Sequence, residues 1–266
     1  MLSRAADSLY WMSRYLERAE HTARVLDVQL SLMLERSTGS DDAYWVTTLR
    51  SLGMETDTGG DAYALVRSLI HEGTDPSSIT ACITSARENA RQVRELISTE
   101  MWEQLNRLFH SVRTHSKGGD PREFLASVKA GSHLFEGITV STMTHGEGWH
   151  FIQAGRYLER LVAVATLVSE HYATPPTLDQ ELENLEWNGL LRSCTAFEAY
   201  CKAYSAELQS ARIAEFLVLH PSFPHSVRFA AGELEAAAKG IGGEGTGRRA
   251  NRVERVAGRL HATLSF

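Results

Sequence analysis

Cysteine is scarce in this chain, which has three cysteines among 266 residues. Cys82, Cys194 and Cys201 form neither a metal-binding spacing nor an even-numbered disulfide set. Their number and placement exclude the disulfide frameworks of small secreted domains and fit a reducing compartment. We therefore expect a cytoplasmic protein.

Long hydrophobic segments are also missing. The longest apolar run, Leu161–Val168, is far shorter than the roughly 20 residues that a helix needs to cross a membrane. The first residues, Met1–Asp7, contain no apolar core of a signal peptide and no small-residue cleavage site. We expect no membrane anchor and no export signal.

Positive charge is in the minority. The chain has 27 Lys and Arg against 33 Asp and Glu, which gives a formal net charge of −6 and a pI near 6.0. This balance argues against a broad nucleic-acid-binding surface. A chain of this length that is 43% hydrophobic and 23% charged is globular and can bury one large core or two small ones.

The alternation of apolar and polar residues that is typical of strands is absent. Apolar residues instead recur three and four positions apart, which predicts an all-α protein. The first helix is long, because nothing before Ser37–Ser40 would end it. About eleven helices are predicted, over Leu2–Arg36, Asp42–Leu52, Asp61–His71, Ser77–Ile97, Glu100–Thr114, Arg122–Met143, Trp149–Tyr172, Leu178–Tyr204, Glu207–His220, Ser226–Lys239 and Arg248–Thr263.

We expect these helices to form a single multi-helix bundle over residues 1–266. Lys117–Pro121 is the most linker-like segment in the middle of the chain, so a division into halves 1–118 and 121–266 is an alternative. A weak internal duplication would agree with that division, because one pentapeptide occurs twice.

The repeated pentapeptide is Arg-Tyr-Leu-Glu-Arg, at Arg14–Arg18 and again at Arg156–Arg160. A helix places residues i, i+3 and i+4 on one face, so each copy forms one cluster of three charges. The candidate ligand-binding residues are the six charged side chains of the two copies: Arg14, Glu17, Arg18, Arg156, Glu159 and Arg160.

The surroundings of the second copy predict burial. From Gly148 to Ser169, its three charged residues are the only ones, and apolar residues cover the whole circumference of the helix. Leaving one member of a buried ion pair unmatched costs about 3–5 kcal/mol, so these charges must be paired. The economical arrangement brings the two helices together with the clusters facing one another.

Four guanidiniums against two carboxylates would leave two positive charges in excess. Asp7, Glu88 or Glu198 could neutralise them, and the clusters would then be a structural network that fixes the register of the helices. Without such acids the centre of the bundle would be a site for a carboxylate or phosphate, since arginine binds both groups through two hydrogen bonds.

A catalytic role is a third interpretation. Glu17 or Glu159 would act as a general base, and His21 or Tyr10, on the same face of the first helix, would transfer protons. Glu147 and His150 have one half of a di-iron spacing, but no second half can be found, so no metal and no cofactor are predicted.

Several segments of the chain resemble signatures of the bacterial alpha-E domain family, whose name refers to its helices and its Glu-Arg motif. The segments are spread over nearly the whole chain: Ser3–Arg24, Ala86–Arg94, Gly155–Arg160, Leu190–Ser193, Phe197–Tyr200 and Phe216–Phe229.

This sequence departs from a symmetric pattern after the pentapeptides. The first copy is followed by polar Ala19–Thr22 and the second by apolar Leu161–Val164, so we expect the first copy to face an open site and the second to brace it.

The resemblance implies a setting for the protein. Alpha-E proteins tend to be encoded beside, or fused to, circularly permuted ATP-grasp ligase-like proteins and transglutaminase-like proteases. This implies an accessory or binding subunit of a peptide-modifying, amide-forming system that takes a small anionic ligand or a peptide. A purely structural assembly protein is the remaining alternative.

Overall fold

A computed structural model of the chain describes residues 1–35, 42–53, 66, 68–70, 77–115, 120–174, 179–243 and 249–266. Every regular element within these ranges is helical, which confirms the all-α class. Val66 and Ser68–Ile70 are helical as well, and most of the predicted helix Asp61–His71 lies outside the described residues. Eleven helices have described bounds: α1 (Ser3–Glu35), α2 (Asp42–Ser51), α3 (Ile79–Gln92), α4 (Thr99–His115), α5 (Pro121–Thr142), α6 (Glu147–Ala173), α7 (Gln180–Ser193), α8 (Phe197–Tyr204), α9 (Ser210–Leu219), α10 (Val227–Gly242) and α11 (Arg252–Ser265).

The long first helix is confirmed, since α1 runs for 33 residues. Its apolar positions at three- and four-residue spacing are buried, and α3, α5, α6 and α7 pack around it. Several polar side chains of α1, among them Glu17 and Glu20, are buried too. A helix surrounded in this way has almost no solvated face, so its charges need partners on neighbouring helices.

Two predicted helices were too long. The structure ends α3 at Gln92, where the chain leaves helical geometry at Val93 with φ −125° and ψ 32°. Leu178–Tyr204 is not one helix, because a turn after Ser193 separates α7 from α8. In that turn Thr195 adopts φ 53°, and the Ala196 amide donates to the Leu191 carbonyl over 2.7 Å. This is a Schellman-type ending with Thr where glycine usually stands, so no glycine or proline announced it.

Side chains cap the start of several helices by accepting hydrogen bonds from amides of the first turn. The Asp120 carboxylate accepts from the Arg122 amide ahead of Pro121, and the Ser226 hydroxyl accepts from the Phe229 amide at the start of α10. At α11, Asn251 and Glu254 form a reciprocal capping box. The cap at Ser226 fixes the loop that runs past the end of α9 towards the centre of the protein.

The buried apolar residues form two clusters. The larger joins α1 to α3, α4 and α5, and the smaller joins the C-terminal part of α6 to α7, α8, α9 and the start of α10. Helix α1 contributes to both, because Leu26 belongs to the first and Val25 to the second. α1 and α6 therefore form the central pair of the fold. Among the described residues, no helix is both long enough and apolar enough to cross a membrane.

Candidate functional site

α1 and α6 meet at the level of the two pentapeptides. Gly155 lies directly before the second copy, and a Cβ added there would overlap the Tyr10 carbonyl oxygen and the Ser13 hydroxyl of α1. The two helices are therefore in backbone contact at this point, which only glycine permits. So close an approach lets the charged side chains on either side of the contact reach the opposite helix.

On one side of the contact, Glu159 of α6 binds both arginines of the first copy. Its Oε2 accepts from Arg14 Nε at 2.7 Å, and its two oxygens accept from Arg18 Nε at 2.6 Å and Arg18 Nη2 at 3.1 Å. The hydrogen bond to Glu159 raises the pKa of the Arg18 guanidinium. Arg14 also lies 4.9 Å from the centre of the Trp11 ring, a cation–π contact.

On the other side, Glu17 of α1 binds Arg160 of the second copy. Arg160 donates from Nε to Oε1 at 2.5 Å and from Nη2 to Oε2 at 3.1 Å, and Nη1 reaches the Pro224 carbonyl at 3.4 Å. Burial lowers the pKa of this guanidinium, but the charge of Glu17, its hydrogen bonds and the charge of Glu136 together outweigh burial, and the pKa is raised. Arg160 is thereby committed through all three of its nitrogens. The prediction that the two clusters face one another is confirmed.

Arg156 is bound less completely than the other three arginines. Its Nη2 contacts Glu136 of α5, while its Nε lies 3.9 Å from Glu17 Oε2 and has no hydrogen-bond partner among the described residues. The side chain of Glu136 is 38% exposed, against 14% for Arg156. Glu136 is therefore the acid that offsets the excess of arginine, in place of the three that the sequence suggested. Of those three, Glu88 pairs with Arg87 and Arg91 on α3, and Asp7 and Glu198 are exposed.

A cavity of about 670 Å³ opens at this second side of the contact, between α1, α5, α6 and the loop before α10. Both arginines of the second pentapeptide line it, whereas the first copy contributes Glu17 and neither of its arginines. The expectation that the second copy only braces the first was therefore wrong, although the first copy does reach the cavity through Leu16 and Glu17. Sequence polarity after each copy did not reveal which helix would lie opposite. The other polar lining residues are Ser13, Glu20, Ser132, His133, Glu136, Thr139, Ser141, Gln153, Thr195 and His225.

The candidate proton-transfer residues do not line the cavity. The Tyr10 hydroxyl accepts from Arg14 Nη1 at 3.2 Å, on the side of Glu159. His21 is partly buried, its Nε2 has no hydrogen-bond partner among the described residues, and burial lowers its pKa. Glu159, although it belongs to the second copy, is likewise outside the lining. The structure thus brings together Glu17, Arg156 and Arg160 at the cavity and leaves His21 and Tyr10 outside its lining.

A second polar group at this cavity, which helix periodicity did not reveal, consists of Glu20 with Arg24 and His133. Glu20 Oε1 pairs with Arg24 and lies 3.4 Å from His133 Nε2. Burial alone would raise the pKa of the Glu20 carboxyl, but the hydrogen bond to His133 and the charge of Arg24 lower it to about 2. Burial and the charge of Arg160 hold the pKa of His225 well below its usual value. At neutral pH Glu20 is therefore a carboxylate and His225 is uncharged.

Across the described ranges, no three His, Cys, Asp or Glu side chains are grouped so that they could hold a metal ion. Glu147 instead binds the amino group of Met1 at 2.8 Å.

Fold and site together define an all-helical protein with a charge-lined central cavity. A family model described as a predicted alpha-helical domain with a conserved ER motif matches residues 1–266. The chain belongs to this family, Alpha-E, and Glu-Arg occurs in both pentapeptides, at Glu17–Arg18 and Glu159–Arg160.

Similar proteins occur in mycobacteria. An uncharacterized protein of Mycobacterium bovis and one of Mycobacterium tuberculosis are each 25% identical to the chain over 287 aligned positions. The alignment covers 97% of this chain and 32% of each relative, so the chain spans about a third of the length of the relatives it matches. No solved structure matches the chain.

Proposed function

We propose that this protein is a helical binding subunit whose central cavity receives a carboxylate- or phosphate-bearing group at Arg156. The observation that carries the proposal is the incomplete pairing of Arg156. Its Nε has no hydrogen-bond partner among the described residues, and its Nη2 contacts a glutamate from α5 that is partly exposed. A guanidinium in a largely apolar cavity gains from a second oxygen pair that binds both nitrogens.

Glu136 is the residue that an entering anion would displace. Its carboxylate already sits against Arg156 Nη2, and its side chain has room to turn towards solvent because it is 38% exposed. A ligand carboxylate or phosphate can replace it with little loss, since Glu136 regains water as it leaves. Arg160 is less suited to this part, because each of its three nitrogens already donates to Glu17 or to the Pro224 carbonyl.

The wider role that we assign to this site is that of an accessory subunit in a cytoplasmic, amide-forming system. The partners would be a circularly permuted ATP-grasp ligase-like protein and a transglutaminase-like protease. Support comes from the family, and from the relatives in which an Alpha-E-like region makes up 32% of a longer chain. Such a subunit would present an acid or a phosphorylated acid to the ligase.

Catalysis by Glu17 or Glu159 has less support. Each side chain is only 9% exposed, and both oxygens of each accept guanidinium N–H groups. A general base needs a free lone pair within hydrogen-bond reach of the proton it removes. Glu159 lies outside the cavity lining, and both oxygens of Glu17 are already engaged by the two-point pair with Arg160.

The test measures binding by calorimetry with two simple probes, N-acetylphenylalanine and phenyl phosphate, against N-acetylphenylalanine amide as the uncharged control. We expect at least one charged probe to bind and the amide not to bind. Arg156→Gln should weaken binding about tenfold or more, since a hydrogen bond to a charged group is lost. The matched control is Arg91→Gln, because Arg91 is 65% exposed and far from the cavity lining. Equal affinity of the Arg156→Gln and wild-type proteins, or no binding of any charged probe, would contradict the proposal.

A further inference from the structure

The cavity lining does not carry the excess of arginine that the pentapeptides suggested. Two guanidiniums, Arg156 and Arg160, face three carboxylates, Glu17, Glu20 and Glu136. A third guanidinium, that of Arg24, binds Glu20 from behind the lining. When Glu136 turns away from Arg156, a ligand carboxylate takes its place, and Glu20 remains at the cavity as a contact for a ligand cation.

Glu20 is the carboxylate best placed to accept a cation. Its side chain is 7% exposed and lines the cavity, and the contacts with Arg24 and His133 both use Oε1. A donor that enters from the cavity can therefore approach Oε2. The other two carboxylates are less suited, because Arg160 takes both oxygens of Glu17 and Glu136 is needed to leave Arg156.

Ser132 supplies an independent sign that a polar ligand belongs here. It is 8% exposed, lines the cavity, and its hydroxyl has no hydrogen-bond partner among the described residues. Hydroxyls in helices commonly bond to a carbonyl of the preceding turn, so a buried one without a partner is unusual. It stands next to His133 on α5, beside the pair formed with Glu20.

The spacing of the two charged regions limits the size of the ligand. His133 marks the Glu20 region and Glu136 marks the Arg156 region, three residues apart on α5, which is a rise of about 5 Å. The amino and carboxyl groups of a dipeptide span a comparable distance, because each residue extends a chain by at most about 3.5 Å. The apolar part of the wall offers room for its side chains through Leu16, Phe135, Ile152, Tyr157, Phe223 and Phe229.

We propose that the ligand of this cavity is a short peptide such as a dipeptide, with its carboxylate at Arg156 and its protonated amine at Glu20 and Ser132. The inference rests on the proposed function, because it takes the carboxylate site at Arg156 as given. It adds a second recognition point and thereby names the class of ligand. A phosphate without an amine would use only one of the two points.

The experiment compares three forms of one dipeptide, alanyl-phenylalanine, on the full-length protein by calorimetry. The forms are the free dipeptide, its N-acetyl derivative and its C-terminal amide. We expect the free dipeptide to bind about tenfold or more tightly than either blocked form, because each block removes one charged hydrogen-bonding group. This readout uses the wild-type protein and does not depend on how any variant folds.

The three forms separate the two proposals. If the N-acetyl form binds as tightly as the free dipeptide, the amine site is wrong and the carboxylate site stands. If the amide binds as tightly as the free dipeptide, the carboxylate site at Arg156 is wrong, and the amine site is then overturned in the form proposed here. If none of the three forms binds, this inference is overturned, and the proposed function is judged by its own probes.

Two variants locate the amine. Glu20→Gln should lose most of the preference for the free over the N-acetylated dipeptide, while Glu103→Gln, an exposed residue outside the lining, should keep it. Ser132→Ala should weaken the free dipeptide and leave the thermal midpoint unchanged, because the hydroxyl has no partner in the fold to lose. Should Glu20→Gln fold poorly, Ser132→Ala decides the location, and an unchanged affinity in that variant would count against it.

Discussion

Arg160 and Glu17 join the two copies of the pentapeptide through a two-point ion pair across the contact between α1 and α6. Both side chains are less than a tenth exposed. Two charges removed from water in this way depend on each other, because either one alone would remain buried without a partner. The pair therefore fixes the register of the central helices and at the same time forms one wall of the cavity.

Removing one member of this pair should destabilise the protein strongly. Glu17→Gln leaves Arg160 buried and unmatched, and we expect the free energy of unfolding to fall by about 3–5 kcal/mol. The double variant Glu17→Gln/Arg160→Gln should lose less than the sum of the single variants, with a coupling of about 2 kcal/mol or more. Urea denaturation of the four proteins of the cycle measures both quantities.

The matched control for this cycle is Glu88 with Arg91, an exposed pair three residues apart on α3. Water screens such a pair, so its coupling should be about 0.5 kcal/mol or less. A similarly small coupling between Glu17 and Arg160 would show that the pentapeptides do not stabilise the helix contact.

The close approach of α1 and α6 can be tested at Gly155. Alanine at this position would place its methyl group against the Tyr10 carbonyl and the Ser13 hydroxyl, which cannot retreat without moving α1. We expect Gly155→Ala to lower the free energy of unfolding by about 1–3 kcal/mol, despite the better helix propensity of alanine.

Gly137 on α5 provides the comparison, since a Cβ there would meet nothing within 4 Å. Gly137→Ala should keep its stability or gain up to about 1 kcal/mol from helix propensity. Chemical denaturation of both variants distinguishes a steric effect from a general one. A gain at Gly155 equal to that at Gly137 would mean that the helices are not in backbone contact.

Sequence periodicity was sufficient for the helices but not for all their ends. The length of α1 and the meeting of the two pentapeptides followed from apolar spacing and from the cost of unpaired buried charge. The break after Ser193 did not, because Thr195 takes a left-handed conformation that its residue type does not indicate.

The cavity was predictable only in part, for a related reason. Local pattern tells which residues share a helix face, but not which helix lies opposite that face. Glu136 and Ser132 stand four residues apart on α5, and this spacing marks a polar face without showing that it would meet Arg156. His225 lies in a loop, where no period applies.

The Glu20 carboxylate should make stability depend on pH in the acid range. Its pKa is lowered to about 2 in the folded protein, so the ionised form stabilises the fold above the ordinary carboxyl pKa of about 4.5. That contribution, about 3 kcal/mol, is lost as pH falls from about 4.5 towards 2. We expect the stability difference between wild type and Glu20→Gln to shrink over this range.

Urea denaturation at pH 6, 5, 4 and 3 measures that difference at each pH. The other carboxyls titrate alike in both proteins, so only the residue exchanged contributes to the comparison. The exposed Glu103→Gln variant should follow wild type at every pH. A constant difference between wild type and Glu20→Gln would mean that Glu20 is not held ionised by Arg24 and His133.

The end of α8 carries backbone strain that a single substitution should relieve. Ser205 adopts φ 74° and ψ 177°, a region that is open to glycine and costs other residues about 1–3 kcal/mol. Ser205→Gly removes that cost and loses only a weak contact, in which the Ser205 hydroxyl accepts from the Glu207 amide at 3.5 Å. After the larger chain entropy of glycine is offset, we expect a net gain of about 0.5–1 kcal/mol in the free energy of unfolding.

Ser222→Gly serves as the control, because Ser222 is exposed and has no positive φ, and it should be neutral or slightly destabilising. Thermal and urea denaturation of the two variants would reject the strain at Ser205 if both lost stability to the same extent.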